Sequence, residues 1–524
     1  MNKKSIIGGL LLVIVILFSS CTDQLEEKYY NPEKSTQANI PGFFTAILNN
    51  DRVRPSYWNV RTFLLMQPAV YSQTAYFTNN TSAYQQADGY TEQYWNDFYT
   101  PLSTFRAMET AYNKLSDADK ASQEIFLNAA RVILYDQASQ MVDLWGDIPF
   151  SEAGSLETTS TITNAKFDDQ KSLYTTFIAG LKDAAAYFGT ASKTSNFSKY
   201  DILLSGEVSK WQRYANSIRL RLLMRISNQD ENTAKTAVLE MLNSSSTYPL
   251  VDGSNNPNYS PKSSDILLQP LSTYSDNLNS ALTELPSHYA PDYMLNTVMN
   301  PVNDPRMDVM FDKYGTVVNK VFVPNKEYKA MPIDATSSFA EKNYTYYAIL
   351  DSATFLQNKL LPGIVITASE VNFLKAEAYQ RWGNTADAKT AYETAVKQSV
   401  TFYYYLNGLN TSGLPIVTKP SDSEIDDFVT SRVSYSGTSQ EKLAKIWVQK
   451  WLHFGWMQST QAWAEYRRTN YPQLTFPSTG KLSGYDVPPT RLVYPSGEKS
   501  NNSENYSAVQ SKDTRTTKIF WDVN

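Results

Sequence analysis

The chain is 524 residues long and carries 47 lysines and arginines against 52 aspartates and glutamates, a formal charge of −5. With no strongly basic tract it is not built to bind nucleic acid, since phosphate neutralisation supplies most of that affinity. A single cysteine excludes a disulfide framework, and two histidines, His288 and His453, leave almost nothing for a histidine metal site or triad.

At the N-terminus, Lys3 and Lys4 precede an uncharged run over 6–18 that closes on Ser19-Ser20-Cys21. The run suits a signal peptide and falls short of the roughly 20 apolar residues that span a bilayer. Small residues before a lone cysteine form a lipoprotein cleavage pattern. Residues 1–20 are therefore expected to be removed and Cys21 acylated, with the polar stretch 22–27 as a leash to a single body over 21–524.

The first strong helical spacing covers 119–144, with Ile125, Ala129, Val132, Ile133, Ala138 and Met141 on one face and a stop at Gly146-Asp147-Ile148-Pro149. Further helices are expected over 168–188, 208–227 and 233–242, and these pairs should stack. Over 368–400, Ala376, Tyr379, Gly383, Ala388, Tyr392 and Ala395 recur at the offsets of a tetratricopeptide repeat, where small residues let two helices approach closely. A last helix over 440–468 carries Trp447, Trp451, Phe454, Trp456 and Trp463, aromatics on several faces that predict burial between helices. The segments 71–101, 243–292, 322–359 and 407–436 are rich in Asn, Ser, Thr, Gly, Pro and Tyr and are expected to be long inserted loops.

Three local signatures stand on this frame: Lys210-Trp211-Gln212-Arg213-Tyr214-Ala215-Asn216-Ser217-Ile218-Arg219-Leu220-Arg221, then Asp304-Pro305-Arg306, then Pro489-Thr490-Arg491-Leu492-Val493-Tyr494-Pro495 followed by Glu498, Asn501, Asn502 and Tyr506. Together with the lipid cysteine and the repeat-like helices, they resemble the SusD/RagB family of outer-membrane nutrient-binding lipoproteins of Bacteroidota. The resemblance implies a mostly α fold, about four tetratricopeptide-like helix pairs with a large loop-rich ligand-facing region. It implies a lipid-anchored protein at the cell surface that captures oligosaccharide for a SusC/RagA-like TonB-dependent transporter. A peptide-binding receptor of the RagB kind and a glycan-degrading enzyme remain as alternatives. The signature arginines Arg213, Arg219, Arg221 and Arg225 read as scaffold, pairing buried carboxylates or carbonyls, and Asp304-Pro305-Arg306 reads as a turn.

Aromatic content is high, with 36 Tyr, 23 Phe and 10 Trp. Rings that stack on sugar faces, flanked by amides and acids that bind hydroxyls, are the expected means of holding a glycan. The densest such stretch contains Tyr71, Gln73, Tyr76, Asn79, Asn80, Tyr84, Gln85, Tyr90, Gln93, Tyr94 and Trp95, and Tyr71, Tyr76, Tyr84, Tyr90 and Trp95 are its expected ligand contacts. Tyr274, Asp276, Asn277 and Asn279 form a second stretch, with Tyr274 and Asn277 as contacts, and Tyr403-Tyr404-Tyr405 a third. No nucleophile elbow, phosphate loop or zinc helix motif is present, so no enzyme and no cofactor are expected. Oxygen ligands cluster at Asp252-Gly253-Ser254-Asn255-Asn256, which would suit at most a structural calcium.

Overall fold

Helix formation follows the caps and the apolar spacing. The computed structural model describes residues 39–161, 163–271, 278–284 and 288–524. Cys21, Tyr274, Asp276 and Asn277 lie outside the described residues. From Pro41 to Asn524 the chain packs as one unit.

The main helices are α1 (Ile40–Leu48), α2 (Asp88–Asn113), α3 (Asp117–Trp145), α4 (Gln170–Thr190), α5 (Val208–Arg225), α6 (Glu231–Asn243), α7 (Ala368–Trp382), α8 (Thr385–Gly408), α9 (Ser439–Phe454) and α10 (Ser459–Thr469). The fold is mostly helical, with side-by-side pairs α2–α3, α4–α5, α7–α8 and α9–α10 and with α6 laid against α5. Side-chain caps start several of these helices: Ser116 accepts from the Asp119 amide before α3, Asp169 from that of Ser172 before α4, and Asp230 from that of Thr233 before α6. Helix α3 ends at Gly146, whose φ of +80° suits glycine. In the α7–α8 pair Ala376, Ala388 and Ala395 are fully buried, and a Cβ on Gly383 would lie 2.8 Å from the Tyr379 ring.

Two expectations are corrected. The stretch 440–468 is not one helix, because Gly455 takes a φ of +50° and breaks it into α9 and α10. The stretch 71–101 is not one long loop, since α2 begins at Asp88. Its apolar residues Tyr94, Trp95, Phe98, Leu102, Phe105 and Met108 recur at helical spacing and are all buried. Short strands lie in or beside the remaining inserted stretches: β1 (Ile266–Leu268) pairs antiparallel with β4 (Gly363–Ile366), and β2 (Gly315–Val318) with β3 (Val321–Pro324).

Buried ion pairs join the helices. Arg221 on α5 donates through Nε and Nη2 to Glu370 of α7 at 2.6 and 2.8 Å and lies 3.2 Å from Asp136 of α3. Arg225, one turn on, reaches Asp143 of α3 and Glu465 of α10 at 3.2 and 3.1 Å. Arg468 of α10 holds both oxygens of Glu377 on α7 at 2.7 Å. Arg213 instead donates to the Leu250 carbonyl at 2.6 Å. Arg306 turns back onto Asp304, with Nε 2.9 Å from Oδ1, and also binds Ser399 and Gln449. Arg213, Arg221, Arg225 and Arg306 therefore fasten the scaffold as expected, whereas Arg219 lies 5.5 Å over the Tyr248 ring.

His453 is enclosed in the same interior, with Nε2 2.7 Å from the Thr367 hydroxyl and Nδ1 3.0 Å from that of Ser399. Burial, aided by the charge of Arg306, lowers its pKa to about 3 from the ordinary 6.5. Between those values the unfolded chain binds a proton that the folded chain does not, so this contribution is intact above pH 6.5 and is lost as pH falls toward 3. Chemical denaturation across this range should show the acid limb of His453→Gln flatter than that of the wild type by about 1.4 kcal/mol per pH unit. Identical acid limbs would show that the ring is charged in the folded state.

Candidate functional site

Two segments form the walls of an open cleft of about 850 Å³. The first runs from Asp51 to Thr62 and leads into a π-helical turn, Asn59–Leu64. Turns of this kind are frequent at functional sites. Its inner face is fixed by buried Val60, Phe63 and Leu64, and the Phe63 ring stacks on Tyr94 of α2 with centroids 3.6 Å apart. That anchoring leaves Trp58 outside, 65% exposed in the cleft wall. Tyr57 meets it edge to face at 5.1 Å and donates its hydroxyl to Glu284 at 2.6 Å. Arg61 binds the same Glu284 oxygen at 2.5 Å.

The second wall is the first three turns of α2. Tyr94, Trp95 and Phe98 face the core, while Gly89, Tyr90, Gln93 and Asp97 face the cleft. Tyr90 is 37% exposed, and Gln93 donates to Asp97 at 2.7 Å. Asn59 donates to the Asp51 carbonyl at 2.9 Å, and its own Oδ1 has no donor within the protein. Partial burial raises the Asp51 carboxyl; Arg54 draws it down again and Asp97 pushes it further up. Under the floor Arg52 is turned inward, 3.8 Å over the Tyr94 ring and donating to the Tyr94 carbonyl at 2.7 Å. The cleft thus offers exposed aromatic faces beside amides and carboxylates, the chemistry that holds a sugar chain by stacking and by hydroxyl hydrogen bonds.

Of the described rings expected to touch ligand, only Tyr90 lines this cleft. Trp95 is buried, edge-on to Trp145 at 5.1 Å and to Tyr494 at 5.9 Å, because it sits on the core face of α2. Tyr71 is buried against Trp463 at 5.1 Å. Tyr76 and Tyr84 are buried too, packed on Tyr289 and Phe476, and line an internal cavity of only about 30 Å³. Tyr403 and Tyr404 are likewise interior, donating to the carbonyls of His453 and Pro305, each at 2.8 Å. In the oxygen-rich loop, Asp252 holds the Lys375 ammonium at 2.8 Å and the Ser254 amide at 3.0 Å. Among the described residues no group of three or more His, Cys, Asp or Glu side chains is placed to hold a metal.

The sequence reading missed Asp51, Tyr57, Trp58, Asn59 and Asp97. The signal was Tyr57-Trp58-Asn59 itself, two adjacent aromatics beside an amide and just after Pro55, which has the same character as the stretch chosen further on.

A family model described as "starch-binding associating with outer membrane", of the SusD-like kind, matches residues 36–495. Among solved structures, a chitin-binding protein superposes with a TM-score of 0.74 at 22% identity, covering 93% of this chain and 100% of its own. A SusD homologue from Bacteroides thetaiotaomicron gives 0.69 at 19% identity with 93% and 100% covered. A chitin-binding SusD homologue from Flavobacterium johnsoniae gives 0.67 at 22% identity with 93% and 99% covered. No curated protein sequence matches the chain.

Proposed function

The chain belongs to the SusD-like family, and on that premise we propose that it is a cell-surface lipoprotein that captures oligosaccharide in the Trp58 cleft and delivers it to a SusC-like TonB-dependent outer-membrane transporter. The observation that carries the capture step is the Trp58 ring, 65% exposed on the wall of an 850 Å³ cleft beside Tyr90, Asn59 and Gln93. A large ring left in water costs a protein the stability that burial would give, about 25 cal/mol per Å². A sugar face recovers that loss on binding, while amides and acids around it fix which hydroxyls fit. The family's description as starch-binding, and the chitin-binding relatives, support a glucose-type or N-acetylglucosamine-type chain as ligand.

Attachment is proposed through Cys21. No described helix is long and apolar enough to cross a membrane, and the lipoprotein signal supplies an anchor that needs none. Two measurements test this reading. In isothermal titration the soluble form starting at Thr22 should bind malto- or chito-oligosaccharides saturably, whereas binding to peptide digests alone would replace the glycan reading with a peptide receptor. In cells, palmitate labelling should be abolished by Cys21→Ala, and protease added to intact cells should digest the wild-type protein. Protection from that protease would place the body on the periplasmic side and remove the capture role.

A further inference from the structure

The β2–β3 hairpin departs from the way proteins guard the edges of their sheets. Its strands, Gly315-Thr316-Val317-Val318 and Val321-Phe322-Val323-Pro324, are joined by Asn319-Lys320, both at positive φ as a two-residue hairpin turn requires. Val317, Val318, Val321, Phe322 and Val323 are 46–70% exposed. They occupy both faces, since Val317 pairs with Phe322 across the ribbon and Val318 with Val321. Tyr314 links the Phe322 ring to that of Tyr344, with centroids 6.4 and 6.0 Å away, and exposed Tyr344 and Tyr346 extend the patch. Among the described residues no third strand joins this ribbon. With a two-residue turn Val318 and Val321 exchange hydrogen bonds, so Phe322, one step on, turns its backbone N–H and C=O outward. No charged residue stands within either strand; only Lys320 in the turn and Pro324 at the end blunt the edge.

We propose that this hairpin is the contact between two copies of the chain, with β3 lying antiparallel to the β3 of a second copy about a two-fold axis at Phe322. A two-fold axis sets two identical edges antiparallel, so the outward N–H and C=O of Phe322 pair with those of its counterpart. The apolar faces of the two ribbons are covered at the same time. The seven exposed side chains from Val317 to Tyr346 offer on the order of 600 Å², most of the roughly 800 Å² that each partner buries in an interface of standard size. A bilayer is the poorer occupant, because hydrocarbon gives an open strand edge no hydrogen-bond partner and Lys320 at the tip would enter first. The contact makes no use of the Trp58 cleft, so either can fail without the other.

The test is sedimentation velocity of the chain starting at Thr22, which keeps the whole packed unit from Pro41 onward and contains no cysteine. Its mass should rise from one chain toward two as concentration is raised from about 1 μM to about 300 μM. Val321→Lys and Phe322→Asp each place a charge at an exposed position on the edge, and each should weaken association by about tenfold or more with melting unchanged. Phe322→Cys at high concentration should oxidise to a covalent dimer, since residues facing each other in a hydrogen-bonded antiparallel pair lie about 5.5 Å apart at Cα, within disulfide reach. Ile416→Cys, as exposed as Phe322 but outside the hairpin, should not. A chain that stays monomeric throughout this range, or a dimer indifferent to both charges and to the cysteine at 322, would overturn the proposal. It would also be overturned by a monomer whose hairpin charges instead abolish binding to anionic phospholipid vesicles or to a co-expressed outer-membrane transporter, which would give the hairpin to that partner.

Discussion

Replacing Trp58 by alanine is expected to weaken oligosaccharide binding by about 30-fold while leaving thermal unfolding where it was. The binding loss is that of a central aromatic anchor, about 2 kcal/mol or more when truncated. The indifference of folding follows from exposure: the ring is 65% solvent-accessible, its stability contribution is small, and surface substitutions of this kind shift stability by about 0.5 kcal/mol or less. Trp58→Phe keeps a flat face and should retain most of the affinity. Trp95→Ala gives the opposite pattern. That ring is 1% exposed between Trp145 and Tyr494, so its loss should cost about 3–5 kcal/mol of stability and reach binding only through unfolding. Titration and melting of the two variants side by side separate the readings. A Trp58→Ala protein that binds as tightly as the wild type would remove the cleft from consideration.

The contrast between these tryptophans also shows what a sequence can convey. Helices over 119–144 and 368–400 were legible because capping residues, small residues and apolar spacing all agree there, and α3 (Asp117–Trp145) and the α7–α8 pair fall where expected. The site was only partly legible. Tyrosines and amides crowd the stretch from Tyr71 to Trp95, a density that suits a wet surface. The helical recurrence of Tyr94, Trp95, Phe98, Leu102 and Phe105 was present in the same letters and points to a core face. Density of aromatics does not distinguish a surface from a core, whereas their period does. Trp58 has no such period, because a π-helical turn follows it and its exposure is decided by Phe63 stacking on Tyr94, a contact between separate segments. The break at Gly455 was hidden for a related reason, since one glycine within an apolar run does not reveal its φ.

Arg468→Ala should be the most damaging single change outside the aromatic core, at about 3–5 kcal/mol, and it should do so without touching the cleft. Arg468 and Glu377 are both fully buried and joined by two 2.7 Å hydrogen bonds, with Glu465 also 2.7 Å from Arg468 and Lys450 2.5 Å from Glu465. Removing the guanidinium leaves two buried carboxylates short of cation, and it is this uncompensated charge, more than the lost attraction, that sets the cost. Arg468→Lys keeps the charge but loses the planar fork, so an intermediate loss is expected. Changing Glu377 and Arg468 together to methionine should cost less than Arg468→Ala, because no charge is then stranded. The pH dependence gives a second check. Burial alone would raise the Glu377 carboxyl, but Arg468 and Lys450 hold it at about 2, below the ordinary 4.5. Its contribution is therefore present above pH 4.5 and lost as pH falls toward 2. Without Arg468 the carboxyl protonates at higher pH, so the deficit of Arg468→Ala relative to wild type, read by denaturant unfolding, should narrow on acidification. A deficit that stays constant down to acid pH would mean that the pair contributes through packing and not through charge. If it narrows, this buried cluster is acting as an electrostatic fastener for α7, α9 and α10, and ligand preference is free to change in the cleft without disturbing it.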